Sequence, residues 1–306
     1  MSTEPHGGGA AIVPQQDVTR LLSSVLPVPQ TVLLLRCPDR PGIVAAVGQT
    51  IAALGGNIIH ADQHTDRVHG LFLQRVEATF PDGADIEAAM RPVAAAYDMA
   101  WEIHRPGPSP RIAVLCSKQG HCLADLLSRV DLGELDAHIQ FVASNHGDHE
   151  GLVARHGVDF HLLPVDADDP ARQSADMHAL VRDADVDLVV LARYMRILPE
   201  AFIADFPNRI INIHHSFLPA FVGAKPYHQA YERGVKLIGA TAHYATGELD
   251  QGPIIHQEVT PVSHRHEVTD LIRLGTDLEK SVLARAVRLH LEHRVLAYGN
   301  RTVVFD

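Results

Sequence analysis

Hydrophobic and polar positions follow one pattern up to about residue 104, in which strand-like runs alternate with helical spacing. Runs rich in leucine and β-branched residues predict strands, and apolar residues that recur every three or four positions predict helices. The predicted strands are 31–36, 57–64, 70–79 and 99–104, and the predicted helices are 43–54 and 86–97. This βαββαβ order predicts a ferredoxin-like sandwich.

A segment with three prolines in six residues, 105–110, separates this pattern from a second one. Beyond it, apolar runs typical of buried strands alternate with helical patterns, which predicts an α/β domain doubly wound around a largely parallel sheet. The runs are 112–116, 139–143, 188–191 and 210–213, and the helices are 123–130, 149–156, 171–183 and 267–294. Further strands are predicted to end at 241–244 and to span 254–259 and 302–305. We therefore predict a loose tail over 1–30, a first domain over 31–105, a linker over 106–110 and a second domain over 111–306.

The net charge and the cysteine content indicate which partners and which compartment the protein has. A net charge of -11 and a pI near 6.0 argue against binding to nucleic acid or to an anionic membrane surface. Three cysteines without a CxxC spacing indicate free thiols and a reducing compartment. We find neither a signal-peptide pattern nor an apolar run long enough to span a bilayer, so we expect a cytoplasmic protein with no membrane partner.

Candidate chemistry lies directly after the apolar strand 210–213. Strand alternation puts Asn212 and His214 on one face, and Asp250 lies at the tight end of the loop 245–253. Ligands of open parallel sheets bind beyond the carboxyl ends of the strands, which makes these polar residues candidates. From the residues alone, the alternatives are a structural turn cap at the strand end and an Asx-turn at Asp250.

Three segments carry a resemblance to a known family. They are 212–230, which begins Asn-Ile-His-His-Ser-Phe-Leu-Pro, 239–244, Gly-Ala-Thr-Ala-His-Tyr, and 249–255, Leu-Asp-Gln-Gly-Pro-Ile-Ile. The chain resembles the formyltetrahydrofolate deformylases over about 31–306, with an ACT-like regulatory domain followed by a formyltransferase-fold domain. The resemblance implies an enzyme that hydrolyses 10-formyltetrahydrofolate to formate and tetrahydrofolate for one-carbon and purine metabolism, with the folate as substrate and no cofactor.

The resemblance also assigns catalytic and folate-binding residues. It makes Asn212, His214 and Asp250 the catalytic set: the Asn212 amide stabilises the oxyanion, and Asp250 with His214 activates water and moves the proton. It makes the segment 192–199 and the loop 245–250 the folate site. The implied folate contacts are Met195, Arg196, Ile197, Leu198, Gly247 and Leu249. From the residues alone, the segment 192–199 also fits a helix start with apolar core side chains.

The sequence of the turn 116–123 distinguishes a hydrolase from a formyltransferase. Formyltransferases of the glycinamide ribonucleotide type, as the resemblance implies, cradle the phosphate of the acceptor in a glycine-rich turn at this point. Here the turn carries Lys118, Gln119 and His121, where a close backbone approach would require small residues. Water is therefore favoured as the acceptor, although Lys118 could bind an anion as a point charge. The alternatives are formyl transfer to an amine and a regulatory folate-binding protein.

The sequence also leads to expectations about an effector site, about oligomerisation and about metal binding. The ACT resemblance implies an amino-acid effector near Asp39, Gly42 and Asn57, and the alternative is a purely structural turn. Exposed sheet edges predict pairing into a homo-oligomer, a dimer or a tetramer. The 21 histidines show no three-ligand zinc pattern, so we predict no metal. Lys225 either borders the pocket or lies in an exposed turn.

Overall fold

The computed structural model describes residues 30–166, 168–219 and 226–306. The predicted tail, apart from its last residue, and Lys225 therefore lie outside the described residues. The chain forms two compact units, residues 30–61 with 76–106, and residues 62–75 with 107–306. No helix within the described ranges combines the length and the hydrophobicity that crossing a bilayer requires.

The first domain has the predicted βαββαβ order. Its elements are β1 Thr31–Pro38, α1 Ile43–Ala53, β2 Asn57–Asp66, β3 Leu71–Thr79, α2 Ile86–Tyr97 and β4 Ala100–His104. They form a four-stranded sheet of order β2-β3-β1-β4, in which β1 and β4 are antiparallel. The strand β2 lies at one edge and is exposed over most of its length, with Ile58 and Ile59 facing solvent. The predicted ferredoxin-like sandwich is confirmed.

The second domain is built on a seven-stranded sheet. Its strands are β5 Arg111–Cys116, β6 His138–Ser144, β7 Phe160–Leu162, β8 Leu188–Ala192, β9 Ile210–His214, β10 Leu237–Tyr244 and β11 Ile254–Pro261. The order is β11-β10-β9-β8-β5-β6-β7, with parallel pairing from β9 to β7 and antiparallel pairing of β10 with both neighbours. The largely parallel sheet is thus confirmed, with one strand, β10, that runs opposite to the others.

Helices cover both faces of this sheet. They are α3 His121–Asp131, α4 Glu150–Arg155, α5 Pro170–Asp183, α6 Glu200–Asp205, α7 Pro226–Arg233 and α8 Val268–Leu291. Alternate residues of β5 belong to two separate apolar clusters: Val114 shares one with Leu123 and Leu283, whereas Leu115 shares the other with Met177 and Phe202. This alternation of one strand between two cores is what a doubly wound fold requires.

The carboxyl end of the chain differs from its prediction. The long helix α8 ends at Leu291, three residues before the predicted end at 294. Two short strands follow, β12 Val295–Tyr298 and β13 Arg301–Val304, and they pair with each other in a separate two-stranded sheet. Gly299 takes a positive φ of 54° at the turn between them, a conformation that glycine adopts without strain.

Candidate active site

The pairing of β9 with β10 brings the catalytic candidates together. In this antiparallel register Asn212 faces His243, and His214 faces Thr241. Residues that are directly opposite on adjacent strands have neighbouring side chains on one face of the sheet. A second histidine, which the sequence analysis did not single out, therefore lies beside Asn212.

His214 links the carboxylate of Asp250 to the hydroxyl of Ser216. The His214 Nδ1 atom lies 3.2 Å from Asp250 Oδ2, and its Nε2 atom lies 2.8 Å from Ser216 Oγ. The neutral imidazole that fits both contacts donates its Nδ1–H to the carboxylate and accepts the Ser216 hydroxyl hydrogen at Nε2. Asp250 thus orients a buried imidazole whose other nitrogen has a lone pair for a proton.

His243 orients the amide of Asn212. The His243 Nδ1 atom lies 2.9 Å from the carbonyl oxygen of Tyr244, which requires an N–H at Nδ1 and leaves Nε2 as an acceptor. The Asn212 Nδ2 atom lies 3.1 Å from that Nε2 and donates to it. An amide nitrogen carries two hydrogens, so the second Asn212 N–H can be donated to a substrate oxygen.

The loop between β10 and β11 presents Asp250 in a conformation set by its neighbours. Asp250 has a φ of 56°, the left-handed region that aspartate tolerates better than most residues. Two residues later, a Cβ atom at Gly252 would overlap the carbonyl oxygen of Tyr244, so only glycine fits there. The Tyr244 backbone N–H also donates to the carbonyl of Pro253 at 2.9 Å. The loop is therefore closed back onto the strand that precedes it.

His214 favours the charged form of Asp250. The hydrogen bond from His214 is the largest of the causes that hold the pKa of the Asp250 carboxyl well below its ordinary value, although partial burial acts in the opposite direction. His243 Nε2 is 3.6 Å from Asp250 Oδ1, which is too far for a normal hydrogen bond. Asp250 is therefore a carboxylate throughout the neutral pH range.

The predicted folate segment and the loop 245–250 together place three apolar side chains at the surface. Residues 193–199 form no helix, and the side chains of Met195, Ile197 and Leu249 are 59%, 73% and 62% exposed. Leu198 is instead buried in the core that contains Phe202, so its side chain does not face solvent. Arg196 and Gly247 are both exposed. Exposed apolar side chains of this size are typical of a surface that receives an apolar ring.

The turn after β5 is occupied by side chains from other elements. The Gln119 Oε1 atom accepts a hydrogen bond from Arg193 Nε at 2.7 Å. His149 donates to the carbonyl of Lys118 at 3.1 Å, and its ring lies 2.5 Å from the position that a Cβ atom at Gly120 would take. The Lys118 side chain is exposed.

Near this turn, three side chains that the sequence does not predict as metal ligands come together: His121, Cys122 and Glu279. The Glu279 carboxylate is already occupied, because it lies 2.7 Å from His121 Nε2 and 3.4 Å from Arg193 Nε. Burial, followed by the charge of Glu279, raises the pKa of the Cys122 thiol well above its ordinary value. A protonated thiol and an arginine neighbour are poor surroundings for a cation.

The predicted effector residues lie at the start of α1 and of β2. Asp39, Gly42 and Asn57 are all exposed. Gly42 caps α1 with a φ of 95°, and a Cβ atom there would come 2.9 Å from the Tyr97 hydroxyl. The glycine is therefore required by the backbone of the turn, whether or not a ligand binds.

Comparison with known families and structures places each domain. The family model described as Formyl transferase matches residues 110–287, and the ACT domain model matches residues 31–91. The chain is 54% identical over 277 residues to the formyltetrahydrofolate deformylase of Synechocystis sp., and the match covers 89% of this chain and 97% of that one. It is 46% identical to the deformylase of Bacillus subtilis, with 90% and 93% covered. The predicted boundaries at 105 and 110 stay predictions.

The solved structures similar to this chain are of two kinds, deformylases that match nearly the whole chain and transformylases that match about two thirds of it. A crystal structure of a formyltetrahydrofolate deformylase from Pseudomonas syringae has a TM-score of 0.90 and 45% identity, and covers 95% of this chain and 99% of that chain. A glycinamide ribonucleotide transformylase 1 from Symbiobacterium toebii has a TM-score of 0.62 and 37% identity, and covers 66% of this chain and 97% of that chain. The chain belongs to the formyltetrahydrofolate deformylase family.

Proposed function

We propose that the second domain hydrolyses 10-formyltetrahydrofolate to formate and tetrahydrofolate through Asn212, His214 and Asp250. The observation that carries this assignment is the contact of the Asp250 carboxylate with His214 Nδ1 at 3.2 Å. His214 lies on β9 two residues after Asn212, whose side chain supplies the amide. A carboxylate, an imidazole and an amide donor around one point are the groups that hydrolysis of a formamide needs. The folate is the substrate, and the step requires no cofactor.

The reaction divides into addition of water and expulsion of the folate nitrogen. The water oxygen bonds to the formyl carbon while its proton passes to the His214–Asp250 pair, and the second N–H of Asn212 donates to the oxygen on which charge develops. The carbon–nitrogen bond then breaks, and the folate nitrogen takes up the proton. Because the imidazole and the carboxylate are coupled, the proton belongs to the pair rather than to either residue.

Binding of the folate ring rests on the exposed apolar side chains beside this site. Met195 and Ile197 from the segment after β8, with Leu249 from the loop that holds Asp250, offer apolar surface to the ring. The backbone at Arg196, Ile197 and Leu198 hydrogen-bonds the edge of the ring, and the open space around Gly247 allows its approach. The formate and the free folate then enter one-carbon and purine metabolism in the cytoplasm.

The experiment that tests this function is formate release from 10-formyltetrahydrofolate in the absence of any amine. We expect wild-type protein to release formate and tetrahydrofolate in equal amounts. Asn212→Ala should lower kcat on the order of 100-fold and change KM little, because its donor acts in the transition state. Asn300→Ala, at the exposed turn between β12 and β13, is the matched control, because Asn300 does not have a positive φ. Formate that appears only after an amine is added would favour formyl transfer instead.

The exposed edge strand of the ACT domain supports a proposal on assembly and regulation. Ile58 and Ile59 on β2, with Val44 on α1, are exposed apolar side chains, and Asn57 begins that edge. We infer that copies of the chain pair through this edge into a dimer or a tetramer. Sedimentation of wild-type protein and of Ile59→Lys tests the pairing, and a wild-type monomer would contradict it.

We also infer that an amino acid binds at the Asp39–Gly42 turn. Titration of amino acids into the activity assay tests this effector site, and an unchanged rate would contradict it.

A further inference from the structure

A buried ion cluster lies beside the catalytic histidine and is centred on Glu279, a residue of α8. The Glu279 side chain is 2% exposed. Its Oε1 atom accepts from the Tyr227 hydroxyl at 2.8 Å, and its Oε2 atom accepts from His121 Nε2 at 2.7 Å. Arg193 Nε lies 3.4 Å from the same Oε2. One carboxylate thus joins helix α7, the start of α3 and the segment after β8.

Two ring contacts connect this cluster to the proposed catalytic pair. The ring of Tyr227 lies 6.3 Å from the ring of His215, and the ring of His215 lies 5.0 Å from that of His214. His214 in turn contacts Asp250. A change at Glu279 can therefore reach the catalytic imidazole through packed side chains.

The cluster is costly to build, which indicates that it has a role. Arg193 is only 7% exposed and has a φ of 63°, so a bulky residue occupies the left-handed region. Two charges are withheld from water, and removal of one partner would leave the other uncompensated. Burial by itself raises the pKa of Glu279, but the hydrogen bond from His121 and the charge of Arg193 outweigh it and lower that pKa, so the carboxylate is charged.

We propose that Glu279 is a positioning residue for the hydrolytic reaction: its carboxylate balances Arg193 and holds Tyr227, and thereby sets the orientation and the electrostatic surroundings of the His214–His215 pair. This inference rests on the function proposed above. Among the described residues, Glu279 contacts Tyr227, His121 and Arg193 rather than His214 or Asp250, and Tyr227 and His215 connect it to the catalytic imidazole, so it acts as a positioning residue.

The charges around His215 support this assignment. Burial, followed by the charges of Arg193 and His214, lowers the pKa of His215 to about 4, whereas the charges of Glu279 and Asp250 act in the opposite direction. Glu279 and Arg193 therefore influence the site with opposite signs.

Three variants test the proposal: Glu279→Gln, Arg193→Gln and the double variant. Loss of the Glu279 charge should move the acid limb of the pH–rate profile for formate release to lower pH by roughly half a unit to one unit. Loss of the Arg193 charge should move it to higher pH by a similar amount, and the double variant should return close to wild type. Glu279→Gln should also lower kcat about tenfold and leave KM within about twofold.

The matched control is the ion pair Asp125–Arg129 on α3, which is 2.7 Å long and half-buried. Asp125→Asn should leave the profile where it is. If Glu279→Gln does not fold, the pH–rate profiles of Arg193→Gln and of the double variant can still be compared. These two proteins differ only at residue 279, so the difference between their profiles measures the effect of the Glu279 charge. A folded pair of single variants whose profiles shift in the same direction, or do not shift, overturns the proposal.

The NMR titration of His215 separates this proposal from the proposed function. Its pKa should fall in Glu279→Gln and rise in Arg193→Gln, and this readout requires no turnover. Absence of formate release by wild-type protein would contradict the function, whereas an unchanged His215 titration in both variants would contradict the role of Glu279.

Discussion

Protonation of His215 should make the free energy of unfolding depend on pH. Its pKa is lowered to about 4, with burial as the largest cause, from an ordinary value of 6.5. Because the folded pKa lies below the unfolded one, the unfolded chain binds more protons between about pH 4 and pH 6.5. Stability must therefore fall as the pH falls through this window, and the contribution of neutral His215 is fully present only above it.

The magnitude follows from the two pKa values. Between pH 7 and pH 5, the linkage relation gives a loss of about 2 kcal/mol in the free energy of unfolding from this one residue. His215→Phe keeps an aromatic ring against His214 and Tyr227 but cannot take up a proton. The variant should therefore lack this share of the pH dependence.

Urea unfolding followed by circular dichroism at pH 7, 6 and 5 measures the effect. The quantity to compare is the difference in unfolding free energy between wild type and His215→Phe, which should change by about 2 kcal/mol in favour of the variant from pH 7 to pH 5. His228→Phe is the control, because the His228 imidazole is exposed in the folded chain. Parallel losses in wild type and His215→Phe would refute the reasoning.

Three further predictions follow from the site. Ser216→Ala removes the hydroxyl on His214 Nε2 and should lower kcat about tenfold through lost orientation, whereas complete inactivity with wild-type folding would indicate a serine nucleophile instead. Gly252→Ala forces a Cβ atom onto the Tyr244 carbonyl and should cost about 2 kcal/mol or more in thermal unfolding and most of the activity, whereas Gly151→Ala, in open space, should cost neither. Chelators should leave the rate unchanged, and a loss of rate that zinc restores would contradict this.

The order of the elements could be predicted from the sequence because most of them are long and periodic. Strand β8 is a continuous apolar run, and α1 and α8 show apolar residues at helical spacing. The elements that escaped prediction are short: β7 has three residues, β12 has four, α6 has six and α7 has eight. Periodicity cannot be recognised over so few positions, and their formation depends on contacts that are distant in sequence.

The site was predictable only in part, for reasons of register and burial. Asn212 and His214 follow from strand alternation, but the importance of His243 depends on which residue it faces across β9 and β10, and no local pattern contains that register. Asp250 was recognised through family resemblance rather than through its surroundings. Its left-handed conformation and its partners exist only in the folded loop.

Glu279 was missed because a charged residue in a long helix is usually exposed. A signal was present, since Glu279 lies four residues after Gly275 and three before Val282, within the stripe of α8 that is buried. A charge on an apolar stripe indicates buried partners, and these are His121, Tyr227 and Arg193. The sequence alone does not reveal which residues they are.

The most direct test of the proposed mechanism is a single-turnover measurement of formate release by Asp250→Asn beside wild type, with no amine present. The substitution preserves the size of the side chain that contacts His214 but removes its charge and basicity. We predict normal binding of the folate and release of formate slowed on the order of 1,000-fold or more. Formate release at the wild-type rate by a folded Asp250→Asn protein would contradict the assignment of the His214–Asp250 pair as the group that activates water.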